Sequence, residues 1–197
     1  MPVTAGFLDD CHDAARLATD WLQTTPARWT SVYEAPYAAY KFTTGGALEQ
    51  CVLMNNPLSS SAELDILLKP TNADAMMGIF MRNSRVTALD PGMFYIWFTG
   101  GNFMLAFVEQ SGATPVLLNM AYVLDTTKWY RLKVRVDGKH VQAKTWIDGT
   151  AEPAWMLDYW VRYRYMRPVG TIGLMATVRN VYYAQIRLIP MSRAGGP

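Results

Sequence analysis

Residues 129–149 decide the fold and read WYRLKVRVDGKHVQAKTWIDG. In the first half of this stretch, apolar side chains occupy every second position and basic side chains occupy the positions between them. A period of two predicts a half-buried β-strand over 129–136. Asp137-Gly138 follows, and a second strand-like run over 141–147 ends at another Asp-Gly. Because Asp-Gly between two such runs is a strong hairpin signal, the stretch predicts a β-hairpin.

Further strand-like runs recur along the chain between turn residues. The predicted strands cover residues 62–68, 76–81, 93–98, 103–108, 116–123, 170–178 and 181–190. Turn signals about every 8–12 residues are typical of an all-β sandwich. The stretch from Ala14 to Leu22 differs, because its apolar residues fall at helical spacing and Asp13 before it suits a helix N-cap. It predicts one short N-terminal helix.

Length and composition favour one folded domain. The chain has 197 residues, of which 51% are hydrophobic and 17% are charged. That composition excludes a disordered chain, and a net charge of +2 argues against a nucleic-acid-binding protein. We expect a single domain over 1–197 with a loose C-terminal tail at about 191–197.

The start of the chain and its cysteines bear on the compartment. No basic segment followed by an apolar one opens the sequence, and apolar runs such as Met93 to Phe98 are far shorter than the ~20 residues of a membrane span. We therefore expect cytoplasmic synthesis without a signal peptide, and no membrane partner. Neither Cys11 nor Cys51 lies in a CxxC motif. The sequence leaves open whether the two pair or stay as buried thiols.

Charge is distributed unevenly along the chain. Residues 1–127 contain 6 Lys or Arg and 12 Asp or Glu, whereas residues 128–197 contain 12 and 4. If these parts were separate domains, the second would suit a polyanion. Within one sandwich, the opposite charges would largely neutralise each other, or would form faces that favour subunit stacking.

Four groups of residues, taken in order, carry a resemblance to a known superfamily. They are Phe7-Leu8-Asp9-Asp10 followed by Trp21 or Trp29, Gly78 to Arg82, Trp129 to Gly149, and Gly170 to Leu174 followed by Tyr183 to Leu188. Over about residues 5–190 the chain resembles the concanavalin A-like lectin/glucanase superfamily, of the kind found in tailed-phage virion proteins. The resemblance implies a jelly-roll sandwich of two antiparallel sheets, in which the first and last strands are neighbours.

Glu63-Leu64-Asp65 looks like the start of the catalytic strand of the laminarinase-type glycosidases in this superfamily. Those enzymes carry a further Glu four or five residues after the first, which protonates the leaving sugar oxygen. Here Leu67 and Leu68 occupy these positions. The chain is therefore predicted not to be an enzyme, and a glycoside hydrolase-like enzyme is kept as the second alternative.

The resemblance also bears on metal binding, since several jelly rolls of this kind hold a structural calcium ion between the first and last strands. Asp9 and Asp10, with Asp13 close behind, are the candidate ligands. Helix capping and solvation are the other interpretation of this acidic group. No other cofactor is predicted.

Aromatic residues are abundant, with 7 Trp, 11 Tyr and 7 Phe, and they concentrate beside arginines in residues 155–167, WMLDYWVRYRYMR. Rings stack on sugars, and Trp, Tyr and Arg are enriched where proteins bind each other. If the segment is extended, Tyr159 and Trp160 lie on opposite faces, so a core could bury only one set of rings. The candidate residues for binding protein or glycan are Trp155, Tyr159, Trp160, Arg162, Tyr163, Arg164 and Trp97.

These patterns favour a non-catalytic structural or interaction protein that docks through an aromatic and arginine-rich surface. The resemblance implies a phage virion component, such as a capsid decoration, minor tail or fibre protein, whose partners are other virion or assembly proteins. The alternative is a carbohydrate-binding module that recognises host glycans. Nucleic acid is not an expected partner, and the sequence allows an oligomer.

Overall fold

The computed structural model describes residues 7–43, 49–54, 61–73, 75–83, 91–162, 170–177 and 180–191. Within these ranges nearly all of the regular secondary structure is β-strand. The elements are β1 (Phe7–Asp9), α1 (Ala14–Thr19), β2 (Trp21–Gln23), a 3-10 helix (Pro26–Arg28), β3 (Trp29–Glu34), β4 (Tyr37–Phe42), β5 (Glu49–Leu53), β6 (Ser61–Pro70), β7 (Met76–Asn83), β8 (Phe94–Thr99), β9 (Asn102–Phe107), β10 (Val116–Ala121), β11 (Tyr130–Asp137), β12 (His140–Ile147), β13 (Leu157–Trp160), β14 (Thr171–Thr177) and β15 (Val181–Pro190).

The strands form two antiparallel sheets that pack face to face. The larger sheet has the order β13-β12-β11-β6-β15-β4-β3, and β1 also pairs with β15. The smaller sheet has the order β10-β9-β8-β7-β14-β5-β2. The first and last strands are therefore neighbours, and the predicted all-β sandwich of two antiparallel sheets is confirmed.

The predicted hairpin forms as β11 and β12. Its register pairs Asp137 with His140, and Gly138 in the turn has a φ of +56°, which glycine adopts without strain. Alternate residues of β11 are buried, so its apolar side faces the core while Arg131 and Lys133 point away from it. We call the side of the larger sheet that faces away from the smaller sheet its outer face.

Large aromatic and aliphatic side chains fill the core between the two sheets. Across this core, the hydroxyl of Tyr183 on β15 accepts a hydrogen bond from the Gly78 N–H at 3.0 Å and donates to the Met175 carbonyl oxygen at 2.5 Å. Gly78 has no room for a side chain, because a Cβ would lie 2.1 Å from the carbonyl oxygen of Ile96. One tyrosine of the larger sheet is thus hydrogen-bonded to the backbone of the smaller one.

The predicted short helix forms as α1. Asp13 caps it, since its Oδ1 accepts a hydrogen bond from the Ala15 N–H at 2.7 Å. The prediction that the helix extends to Leu22 is wrong. Trp21 and Leu22 instead pair with β5 as part of β2, and the Trp21 ring is 2% exposed. Burial of this large ring between the sheets outweighs continuation of the helical spacing.

The acidic and basic parts of the chain interleave within the larger sheet. Arg131 and Arg135 of β11 form ion pairs with Asp65 and Glu63 of the neighbouring β6, at 3.4 and 2.8 Å. Opposite charges therefore neutralise each other across adjacent strands, which is the outcome expected for one sandwich.

Both cysteines are buried and unpaired. Burial raises the pKa of the Cys11 and Cys51 thiols, so both stay protonated at neutral pH. In the described part of the chain, no helix combines the length and the apolar character that crossing a membrane requires.

Candidate functional site

Strand β15 changes its neighbour part-way along the larger sheet. On one side it pairs with β6, and on the other side it pairs first with β4 and then with β1. The register with β6 shifts between Ala184 and Arg187, and Gln185 inside this bulge has a φ of +47°. A positive φ is uncommon for a residue other than glycine, and a bulge interrupts the ladder and redirects a side chain.

A cleft of about 320 Å³ lies on the outer face at this bulge. Its walls come from β1, β6, β11 and β15. The lining residues are Leu8, Asp10, Asp65, Arg131, Gln185 and Arg187. All of them except Leu8 are charged or polar. We call this site the bulge cleft.

Arg131 is fixed in the bulge cleft by three neighbours. Its Nε donates to Asp148 at 2.8 Å, its Nη1 to Asp65 at 3.4 Å and its Nη2 to Gln185 at 3.2 Å. The Tyr37 hydroxyl also donates to Asp148, and this hydrogen bond raises the pKa of Tyr37. A guanidinium held in this way loses little further freedom when a ligand binds.

Two other charged groups of the bulge cleft retain most of their binding capacity. Arg187 faces Asp65 in the ladder, yet its guanidinium has no hydrogen-bond or ion-pair partner among the described residues. Asp10 accepts one hydrogen bond, from the His12 N–H at 3.2 Å. An arginine carries about five N–H donors and a carboxylate about four acceptor positions. Both groups therefore remain able to bind a ligand.

Three rings lie on the outer face beside the bulge cleft, and we call them the ring cluster. The Tyr37 and Trp129 rings meet edge to face with centroids 5.2 Å apart, and Trp129 and Tyr182 are 6.4 Å apart. Trp129 is 7% exposed, while the other two rings are half-buried. Tyr37 links the cluster to the cleft through its hydrogen bond to Asp148. Apolar surface beside convergent polar groups is typical of a ligand site.

Trp155, a predicted contact residue, lies elsewhere on the outer face and is half-buried. Its ring centroid is 4.3 Å from Lys144 Nζ and 5.0 Å from the Arg135 guanidinium. Glu152 accepts a hydrogen bond from Lys133 at 2.8 Å and pairs with Lys144 at 2.7 Å, and these bonds lower the pKa of Glu152. The segment between β12 and β13 thus covers the part of the outer face that carries Lys133, Arg135 and Lys144. We call this part of the face the covered half.

Strand β13, at one edge of the larger sheet, carries other predicted contact residues. Trp160 is 64% exposed, and its ring stacks on His140 with centroids 4.5 Å apart. Tyr159 packs against the core, and Arg162 after the strand is exposed. The Tyr159 and Trp160 rings thus lie on opposite faces, as expected for an extended strand. Their role in binding stays a prediction. Outside the described residues lie Tyr163 and Arg164.

Trp97, the remaining predicted contact residue, is 8% exposed. It lies on the side of the smaller sheet that faces away from the core, where its ring stacks on Tyr95 at 4.3 Å within a cluster that includes Phe80 and Met175. Little of this ring is accessible to a partner, so its predicted role in binding rests on that small exposed part.

Glu63 and Asp65 share the outer face, as the period of two predicts. Glu63 accepts hydrogen bonds from Arg135 at 2.8 and 3.1 Å, and Asp65 pairs with Arg131. Leu67, two residues further on, is fully buried against Trp129 of the ring cluster. Both carboxylates therefore act as acceptors in ion pairs, and the third position of the glycosidase-like pattern is part of an apolar cluster.

The arrangement around Asp9 does not fit the calcium-ligand role expected for it. Its buried carboxylate accepts hydrogen bonds from Trp21 Nε1, the Tyr40 hydroxyl and the Cys11 N–H, at 2.8–2.9 Å. Calcium needs about six to eight oxygen ligands, whereas donors surround this group. Asp10 instead lines the bulge cleft. Across the described ranges, no group of three or more acidic, histidine or cysteine side chains is placed to hold a metal.

Sequence reasoning did not identify Arg131, Gln185 or Arg187 as site residues, and it considered Asp65 only for catalysis. Arg131 is one of three basic residues that alternate along β11, and nothing local distinguishes it. The one available signal is the second Asp-Gly, because Asp148 in that turn anchors Arg131.

No known protein family and no curated protein matches the chain, but solved structures do. The carbohydrate-binding module CBM66 from Bacillus subtilis matches with a TM-score of 0.65 and 10% identity, over 86% of this chain and 95% of that one. A Bacillus subtilis protein of unknown function with a galectin-like fold gives 0.69 and 10% identity, over 93% and 94%. A xylan β-1,4-xylosidase from Bacillus halodurans C-125 gives 0.65 and 16% identity, over 92% of this chain and 38% of that one.

The chain has a concanavalin A-like jelly-roll fold. Its similarity to the binding module and to the galectin-like protein extends over nearly the whole of both chains, whereas the similarity to the xylosidase covers a minor part of that enzyme. Identities this low show the fold alone.

Proposed function

We propose that the chain is a non-catalytic carbohydrate-binding domain that holds a sugar in the bulge cleft. The observation that carries the proposal is the cleft itself, in which guanidinium and carboxylate groups meet beside the ring cluster. The similarity to a carbohydrate-binding module over most of both chains supports it.

The groups of the bulge cleft suit the chemistry of sugar hydroxyls. A hydroxyl donates one hydrogen bond and accepts others, so a sugar needs donors and acceptors side by side. Arg187 and Gln185 supply N–H donors, while Asp10 and Asp65 supply acceptors. Leu8, which is 63% exposed, offers apolar surface to the C–H groups of a sugar ring.

The same residues support binding without cleavage. Retaining glycosidases need a nucleophile and an acid about 5 Å apart, and the acid must be able to donate a proton. On β6, Asp65 pairs with Arg131, and the position two residues on is the buried Leu67. This arrangement favours a carboxylate that accepts hydrogen bonds from a bound sugar.

The proposal is tested by glycan binding of the full chain and two matched variants. Asp65→Asn changes a carboxylate of the cleft, and Glu63→Gln makes the same change two residues earlier on the same strand and face. Each substitution removes one ion pair between a carboxylate and an arginine, with Arg131 for Asp65 and with Arg135 for Glu63. On an array of neutral and acidic oligosaccharides, we expect Glu63→Gln to bind like the unmodified chain. Asp65→Asn should bind about tenfold more weakly.

Two results would overturn this proposal. One is a folded, unmodified chain that binds no glycan on the array. The other is equal weakening by both substitutions, because that would place the sugar away from the cleft. Circular dichroism of each variant shows whether the fold is retained.

A docking domain of a larger assembly is the second candidate function. Trp160 is 64% exposed on β13, and among the described strands β13 has a neighbour on one side only. Open sheet edges and exposed tryptophans are typical of surfaces that bind protein. More specifically, the assembly would be a tailed-phage virion, to which the chain docks through Trp160 and Arg162.

Docking is tested on purified particles of a phage that encodes the chain. Mass spectrometry should find the chain in these particles, and Trp160→Ser should release it. Tyr33→Ser is the matched control, because Tyr33 is 72% exposed at the opposite edge of the same sheet. A chain that is absent from the particles, or retained in them with Trp160→Ser, contradicts this candidate.

A further inference from the structure

We infer that the bulge cleft takes a neutral sugar through neighbouring hydroxyl groups and excludes sugars that carry a carboxylate or a sulfate. This inference rests on the proposed carbohydrate-binding function and concerns the same cleft. It follows from the charges around the cleft and from the hydrogen-bonding groups that its walls leave unpaired.

Negative charge exceeds positive charge around the bulge cleft. Asp10 and Asp65 line it, and Asp148 lies directly behind Arg131. Two guanidiniums, those of Arg131 and Arg187, stand against these three carboxylates. Arg131 is already shared between Asp65 and Asp148. The lining therefore contains one cation without a partner among the described residues, Arg187, and one carboxylate without a cationic partner among them, Asp10.

Among the described residues, charged groups further out do not reverse this balance. Arg16 of α1 reaches the backbone of β1, but its guanidinium pairs with Asp20 at 3.0 Å and lies 3.8 Å from Asp9. On the β11 side, Lys133 is engaged by Glu152. An anionic sugar would thus enter a site without net positive charge. In a partly buried site salt screens the resulting repulsion only weakly.

The unpaired groups of the cleft combine donors and acceptors in the way a pair of hydroxyls requires. Gln185 uses its Oε1 to accept from Arg131, which leaves its amide N–H groups as donors. Arg187 keeps its fork of donors, and Asp10 keeps most of its acceptor positions. Two adjacent sugar hydroxyls accept from the fork and donate to the carboxylate.

The size of the cleft limits the ligand. Its volume of about 320 Å³ lies near the lower end of the ~300–1,000 Å³ found for ligand pockets. A cleft of this size suits one or two sugar units.

The test compares binding of the full chain to immobilised neutral oligosaccharides (gluco-, xylo-, manno-, galacto- and fructo-oligosaccharides) with binding to acidic ones (oligogalacturonate, sialyllactose and heparin fragments). We expect binding to neutral glycans only, with an affinity that changes less than about twofold between low and high salt. Arg187→Gln should weaken it about tenfold. Arg135→Gln is the matched control, because Arg135 lies on the same face but outside the cleft.

The possible outcomes separate this inference from the function on which it rests. Acidic glycans that bind as well as neutral ones, or better, overturn the inference and leave carbohydrate binding intact. A folded Arg187→Gln variant with undiminished affinity for neutral glycans does the same. Binding to no glycan at all overturns the proposed function and the inference with it.

Discussion

Two parts of one sheet face contain the same kinds of group in opposite states. In the covered half, the Trp155 ring lies against Lys144, and Glu152 joins the lysines beside it. In the bulge cleft, Arg187 and Asp10 project from the same sheet without such partners among the described residues. The covered half satisfies its own charges, whereas the cleft leaves groups available for a ligand.

The difference shows that composition alone does not locate a site. The aromatic and arginine-rich segment is more conspicuous in the sequence than the cleft residues are. Its Trp155 ring nevertheless packs on Arg135 and Lys144 and covers part of the sheet. The cleft arises from an irregularity in a strand of ordinary composition, at Gln185. A bulge leaves backbone and side-chain groups unpaired, whereas a regular strand pairs its backbone groups with its neighbours.

The largest expected effect comes from breaking the open site with Arg131→Ala. This variant should lose glycan binding, and its free energy of unfolding should fall by about 1–3 kcal/mol, because Asp65 and Asp148 then lack their shared cation. The Arg131 side chain is 29% exposed, so solvent screens part of the loss. Urea unfolding and the glycan array measure the two effects. Retained binding would contradict the role of the cleft.

Trp155→Ala breaks the covered half instead. It removes two cation–π contacts and a half-buried ring, so the free energy of unfolding should fall by about 1–2 kcal/mol. Glycan binding should stay unchanged, as measured by titration calorimetry on the folded variant. If binding is lost while the fold is kept, the sugar lies on the covered half and the comparison is reversed.

A smaller effect is expected when the bulge is kept and its side chain is removed. Gln185→Gly deprives Arg131 of one of its three anchors, so glycan affinity should fall about threefold. Gln185→Ala makes the same loss at a positive φ that alanine tolerates poorly, and it should be less stable than the glycine variant by about 1 kcal/mol. Equal stability of the two variants in urea would show that the bulge does not keep its backbone conformation.

The smallest expected effect concerns acid stability of the covered half. Lys133 and Lys144 lower the pKa of Glu152 below its ordinary value of 4.5. The resulting stabilisation is present above that value and is lost as the pH falls through the lower pKa of the folded state. Glu152 is 43% exposed, so about 0.2–1 kcal/mol is involved. Below about pH 4.5, urea midpoints should therefore fall less steeply for Glu152→Gln, with glycan binding unaffected at neutral pH.

The parts of the fold that depend on local sequence could be predicted. The β11–β12 hairpin is specified by its own alternation and its Asp-Gly turn, and Asp13 specifies the start of α1. Strands β1 and β2 are three residues long, too short for a period to show. Strand β3 lies at a sheet edge, where its burial does not alternate strictly, so the sequence carries little signal for it.

The site could not be predicted because it depends on contacts between distant segments. Gln185 sits in a correctly predicted strand, but its bulge forms where β6, β4 and β1 all meet β15. Trp97 differs in part, because the continuous apolar run of β8 is consistent with burial of both faces, but it does not show which residues cover the second face. The sequence identifies Gln185 and Trp97, but it does not show which residues surround them in the fold.

The Tyr183 hydroxyl has a consequence for the cleft on the other side of the larger sheet. Tyr183 precedes Gln185 by two residues on β15, and its hydroxyl is inserted between the backbones of β7 and β14. If one sheet slid along the other, the hydroxyl and the Gly78 N–H would lose their partners inside the core, at a cost of about 1–3 kcal/mol each. The hydroxyl therefore fixes the position of one sheet relative to the other. The shape of the cleft therefore depends in part on contacts on the far side of the core.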